Sequence, residues 1–254
     1  DSLTYNHTIN LADNKDTVVE LRDAHRGDYH VRNIDTFLMG FSTSNVSDEL
    51  DDWDKLIISR HYYYLDEEGN IMSEQLFETK SSIEVLIPHP HGRVGFPFEF
   101  FGRSLIGLDD ERIYAAWSQD FLIKIYDQNG EYQRAFYYPY ERIPLTPENA
   151  LSTEFFESLQ SRGGLRSFDF PQAWPALNRM LIDDENRLWI STIIDDDQVY
   201  EWWVLDENGE LLSKLNLPRD RSIRAVKNGY LYTHETDELD IASIVRYRIG
   251  VEDI

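Results

Sequence analysis

Cysteine is missing from all 254 residues, which excludes disulfide staples, thiol nucleophiles and thiolate metal sites. Long apolar runs are missing as well, so nothing in the chain reads as a membrane span. Positive charge is scarce: 24 Lys and Arg face 47 Asp and Glu, a formal charge of −23. Such a surface excludes nucleic-acid phosphates as a partner and disfavours anionic membranes. Only six of the basic residues are lysine. That balance fits a protein kept soluble in high salt, and fits equally well acidic loops that keep a β-rich chain in solution. The catalytic signatures with the strongest local spelling are also missing: no Gly-x-Ser-x-Gly elbow, no phosphate loop, no His-Glu-x-x-His helix. The chain opens Asp1-Ser2-Leu3, with neither an initiator Met nor a leader, which reads as a mature or trimmed product.

What is present is a repeat. Tyr64-Leu65-Asp66-Glu67-Glu68-Gly69-Asn70 returns as Ile125-Tyr126-Asp127-Gln128-Asn129-Gly130-Glu131 and as Val204-Leu205-Asp206-Glu207-Asn208-Gly209-Glu210. Each copy follows a strand-like run and precedes another. Asp and Asn favour the turn, and the glycine supplies the positive φ of a tight hairpin. A second hairpin type comes before the later copies, turning at Asp109-Asp110-Glu111, at Asp183-Asp184-Glu185-Asn186 and at Asn228-Gly229. Joined, the two types make four antiparallel strands per unit, at about 103–138, about 178–217 and, more loosely, about 30–79. A last unit, about 222–249, runs out before a fourth strand. The extended stretches Leu3–Leu11 and Thr17–Leu21 are candidates to supply it.

Repeated four-stranded units predict an all-β fold, a single β-propeller domain over residues 1–254. The repeat breaks between about 139 and 177. There Thr146-Pro147-Glu148 reads as a helix start, and Leu151, Phe155 and Leu159 share one helical face. This predicts a helical insertion near 147–160, followed by the aromatic-proline segment Phe168–Ala176.

From Phe96 onward the chain resembles bacterial six-bladed propellers of the NHL-repeat and TolB-like kind. The resemblance lies in Phe96-Pro97-Phe98, the Ile125–Gly130 turn, Trp174-Pro175-Ala176, Leu181–Trp189, Trp203–Gly209 and Ile244–Ile249. It implies an exported, periplasmic or extracellular protein that is monomeric. It also implies six blades, for which this chain is short, so that either N-terminal blades are missing or the ring is smaller. Two functions follow. One is a non-catalytic binding or scaffold propeller that recognises a protein, peptide or small ligand at its axial mouth or rim loops. The other is a divalent-metal-dependent hydrolase of the lactonase type, or a lyase. No ligand set for the second aligns with residues here, and no cofactor motif appears, so binding is the reading carried forward.

Candidate site residues follow from position. Pro88-His89-Pro90-His91-Gly92-Arg93 reads as a rigid connection between blades, with His89 and His91 on one side and Arg93 offering positive charge to an anionic group. Two histidines without a third ligand make solvent-facing imidazoles the simpler assignment. Phe168 and Trp174 lie outside the blade repeat and are either recognition residues or anchors for the insertion. The acidic clusters fit solvated turns better than calcium loops, and Trp189, Trp202, Trp203, Tyr126 and Tyr200 fit packing between blades.

Overall fold

The Asp-x-x-Gly turns set the geometry of the whole chain. In each, the glycine N–H donates to the carbonyl of the aspartate three residues earlier, at 3.0 Å from Gly69, Gly130 and Gly209 alike. The aspartate carboxylate then caps the next free amides: Asp127 accepts from Asn129 and Glu131, and Asp206 from Asn208 and Glu210. The three glycines hold φ of 84°, 80° and 87°, the left-handed backbone that the repeat predicts.

The computed structural model describes residues 24–32, 35–45, 55–89, 92–146, 171–237 and 239–250. Its strands form four antiparallel sheets in chain order. The first holds β1 (His25–Val31), β2 (Phe37–Asn45), β3 (Lys55–Leu65), β4 (Phe77–His89) and β5 (Gly92–Pro97). The second holds β6 (Ser104–Leu108), β7 (Arg112–Trp117), β8 (Leu122–Asp127) and β9 (Tyr132–Tyr137). The third holds β10 (Leu177–Ile182), β11 (Leu188–Ile193), β12 (Val199–Leu205) and β13 (Leu211–Pro218). The fourth stops at three strands, β14 (Ser222–Lys227), β15 (Tyr230–Thr236) and β16 (Ala242–Arg248). The architecture is therefore all-β and propeller-like, with four sheets where the resemblance implied six blades. Long strands in the first sheet and its extra β4–β5 hairpin use the chain that further blades would need.

The helix expected near 147–160 and the N-terminal stretches Leu3–Leu11 and Thr17–Leu21 lie outside the described residues. The two ends of that insertion are tied together, Leu145 N–H to the Gln172 carbonyl at 3.0 Å and Trp174 N–H to the Ile143 carbonyl at 2.8 Å. Among the described residues the helical element is one short 3-10 turn, Glu99–Phe101.

Neighbouring sheets pack face to face through apolar side chains, as a propeller requires. Leu38, Tyr62 and Phe77 of the first sheet meet Ile106, Ile113 and Ala115 of the second. Tyr114, Ile123 and Ile125 meet Leu177, Met180, Leu188 and Ile190 of the third. Trp189, Trp202 and Val204 meet Ile223, Val226 and Leu231 of the fourth. The large aromatics are packing residues: Tyr126 stacks on Phe77 across the first interface at 5.1 Å, and Trp203 packs on Phe121 at 4.9 Å.

Candidate functional site

One strand of each sheet lies at the centre: β1, β6, β10 and β14. Their C-terminal ends surround a single cavity of about 470 Å³ lined by Val31, Leu108, Ile182 and Val226, among others. This is the axial passage. At the strand ends its wall mixes Asp109, Asp110, Asp183 and Asp184 with the bases Arg32, Arg224 and Lys227. Most of this acidity is spent on structure. Asp109 accepts from the amides of Glu111 and Arg112 and from the Tyr114 hydroxyl, and Asp184 accepts from the Asn228 amide. Asp183 is fully buried and accepts from the Glu185 and Arg187 amides, Arg187 Nε and Trp189 Nε1, all at 2.7–2.9 Å.

At the strand starts the charge is positive. Arg103, just before β6, donates to the carbonyl and the side-chain oxygen of Asn178 on β10 at 2.9 and 3.0 Å. Arg179 on β10 donates to Ser222 Oγ and the Ile223 carbonyl on β14 at 3.0 and 2.8 Å. Each guanidinium thus bridges to the next central strand through neutral acceptors. Arg224 sits where β14 bulges, between Ile223 and Ala225, and lines the axial cavity itself. Burial, then the charges of Arg224 and Arg103, hold the Arg179 pKa below its ordinary value. Among the described residues none of the three is within ion-pair reach of a carboxylate.

Arg103 also lines a cavity of about 370 Å³ with Arg60, Ser81, Ser82, Phe98 and Glu99. Arg60, unlike the other three, is neutralised. Its Nη1 lies 3.0 Å from Asp28 Oδ1, at ion-pair distance though poorly angled for a hydrogen bond, and its Nε donates to Ser42 Oγ at 3.2 Å. Gly27 and Gly40 leave room for it, because a Cβ on either would stand 2.5 Å from Arg60 atoms. Burial pushes the Asp28 carboxyl up, but the hydrogen bond from His30 and the charge of Arg60 win and hold it below the ordinary value of 3.8. Its share of stability is therefore complete above that value and is lost as pH falls through the lowered one. A carboxyl NMR titration should find Asp28 titrating below the free-aspartate range. A midpoint at or above that range would contradict the ion pair.

The residues singled out from the sequence fall in different places. His89 and Arg93 belong to the β4–β5 hairpin of the first sheet, where His89 pairs with Gly92 and Pro88 with Arg93. The stretch is thus a hairpin tip and not a connection between blades. Beyond Val85, β4 has left β3 and pairs only with β5, so the missing N–H of Pro88 breaks no ladder on the other side. Arg93 is exposed; His91 and Phe168 lie outside the described residues. Trp174 is half-buried against Phe100, edge to face at 6.2 Å, in a cluster with Phe98 and Leu145. It anchors the insertion to the basic end of the passage. Sequence reasoning missed Arg103, Arg179 and Arg224. The one available signal was arginine as the third residue of both β10 and β14 in a chain poor in bases.

No protein-family model matches the chain, and no curated protein sequence does. Solved structures that superpose on it include a luciferin-regenerating enzyme, at 11% identity and TM-score 0.32 over 90% of this chain and 92% of that one. Apo AztD from Citrobacter koseri aligns at 10% identity and TM-score 0.32, over 89% and 72% of the two chains. A streptogramin B lyase aligns at 11% identity and TM-score 0.31, over 87% and 76%. Superposition that loose carries no argument, and the propeller-like fold rests on the sheet order and the packing between sheets. Among the described residues no group of three His, Asp or Glu side chains gathers as a metal site. Among them, too, no helix is long and apolar enough to cross a membrane.

Proposed function

We propose that this chain is a binding propeller whose axial passage takes a small ligand bearing a carboxylate or phosphate at its basic end. One observation carries the reading. In a chain of 47 acids, Arg103 and Arg179 stand on successive central strands, Arg224 lines the passage, and none of the three is in an ion pair among the described residues, Glu99 being the one acid that shares the Arg103 cavity. The guanidinium groups of Arg103 and Arg179, already held by neutral acceptors, are pre-organised for an oxyanion, which lowers the ordering cost of binding. The aromatic cluster of Phe98, Phe100 and Trp174 beside this mouth offers apolar contact to the rest of the ligand. The wider assignment, to exported bacterial propellers of the NHL-repeat or TolB-like kind in the periplasm or outside the cell, rests on the residue resemblance alone. The lactonase-like alternative has no ligand set among the described residues, and binding is preferred for that reason.

Titration calorimetry with citrate and with inorganic phosphate tests the reading, the two probes separating carboxylate from phosphate recognition. Wild type should bind at least one of them, and Arg103→Ala/Arg224→Ala should weaken it by about tenfold or more, since charge-assisted hydrogen bonds are each of order 1.5–3 kcal/mol. Equal affinity in the variant, or no binding of either probe by wild type, would overturn the assignment.

A further inference from the structure

We propose that the free edge of β16 takes an extended acidic segment of a partner protein as a fourth strand of the last sheet. In the second and third sheets the position outside the third strand is filled, by β9 and by β13, whereas among the described residues β16 pairs only with β15, the stretches Leu3–Leu11 and Thr17–Leu21 lying outside them. Backbone donors and acceptors along that edge are a template for strand addition.

The side chains beside the edge define what would be added. Directly opposed residues share a face. Lys227, Tyr230 and Arg248 form one cross-strand row, Ala225, Tyr232 and Arg246 the next, and Ser222, His234 and Ile244 a third. This is the face turned away from the third sheet, because Ile223, Val226 and Leu231 pack on Trp189 and Trp202. It carries three exposed cations and no Asp or Glu. Arg246 lies over the Tyr230 ring at 4.5 Å instead of facing an acid. Charged residues on an edge ordinarily serve to repel other strands. A chain with 47 acids and 24 bases would find that repulsion most readily in Asp and Glu, yet this edge gathers the scarce sign.

A strand laid beside β16 continues the rows. Its residues opposite Arg248 and Arg246 are two apart and stand about 6.8 Å from one another on the same face, so alternate carboxylates meet both guanidinium groups. Ile244, 64% exposed, and Leu239 and Ile241 in the preceding turn, 78% and 59% exposed, add apolar contact at one end. Alternation of acidic with apolar or β-branched residues is the signature expected of the partner segment. The rows lie on the last sheet, apart from Arg103 and Arg179, so this inference does not depend on the axial reading.

Fluorescence anisotropy with a short labelled peptide carrying Glu at alternate positions tests it, with the Lys counterpart and a heparin oligosaccharide as comparisons. Against a net charge of −23, adventitious binding of an acidic peptide is disfavoured, so binding reports a local site. Wild type should bind the Glu peptide and not the Lys peptide. Arg246→Glu/Arg248→Glu should weaken binding by about tenfold or more, and the milder Arg246→Gln/Arg248→Gln, at exposed positions that leave the fold intact, should weaken it less. Arg103→Ala should leave it unchanged, which separates this site from the axial one. Failure of wild type to bind the Glu peptide overturns the proposal, as does equal binding by the double variants. Binding of heparin in place of the peptide, a dimer that Arg246→Glu/Arg248→Glu dissociates, or peptide binding that appears only once residues 1–23 are removed, overturns it in favour of a glycan, a second copy or the chain's own N-terminal stretch.

Discussion

Gly130→Val should be among the most damaging single changes in this protein, costing about 3–5 kcal/mol of stability. Two effects combine at this residue. Its φ of 80° strains any β-branched side chain, and an added Cβ would stand 2.4 Å from the Leu76 carbonyl oxygen and 2.7 Å from its carbon. Those are backbone atoms of the first sheet, so no rotamer change relieves the clash. Gly229 separates the effects: it has φ of 72° and nothing within 4 Å of an added Cβ. Gly229→Ala should therefore cost only about 1–2 kcal/mol, the left-handed backbone alone. Urea denaturation of both variants checks the difference. Equal midpoints would mean that the Gly130 turn does not press on the first sheet.

Asp183→Ala should rival it, at about 3–5 kcal/mol, because the change strands Arg187 and the Trp189 indole N–H in the interior. The carboxylate is fully buried, and its four donors include both turn amides. Asp206 performs the same turn-capping task at an exposed site, and Asp206→Ala should cost only about 1 kcal/mol. Similar losses for the two variants, read as shifts of the denaturation midpoint, would contradict the claim that Asp183 anchors the core as well as its turn.

These two sites mark what the sequence makes legible. Asp183 and Gly130 sit in turns, and turn chemistry is local: a carboxylate capping amides two and four residues on, a glycine where φ is positive. The repeat of such turns was enough to find the later sheets and their antiparallel order. Pro88 misled for a related reason. Proline beside histidine reads as a loop, yet a strand bonded on one side only tolerates it, and which side β4 leaves free depends on where β3 ends. The four units marked by the turns correspond to the four sheets; six blades came from the family resemblance alone, and how far the strands of the first sheet run has no local mark. The arginines were hard to see for a geometric reason. Arg179 and Arg224 are each the third residue of a central strand, β10 and β14, but Arg103 precedes β6, so no common spacing links all three. Only the arrangement of the sheets about an axis brings them together.

That convergence is the central claim, and arginine side-chain NMR tests it most directly. In a titration with citrate or phosphate, the Nε–Hε signals of Arg103, Arg179 and Arg224 should move together along one binding curve. Arg187, held by Asp183, and Arg112, paired with Glu207 at 2.7 Å, should stay in place. Uniform small shifts of all arginines, or movement of the paired ones while the axial three remain fixed, would contradict an anion site on the axis.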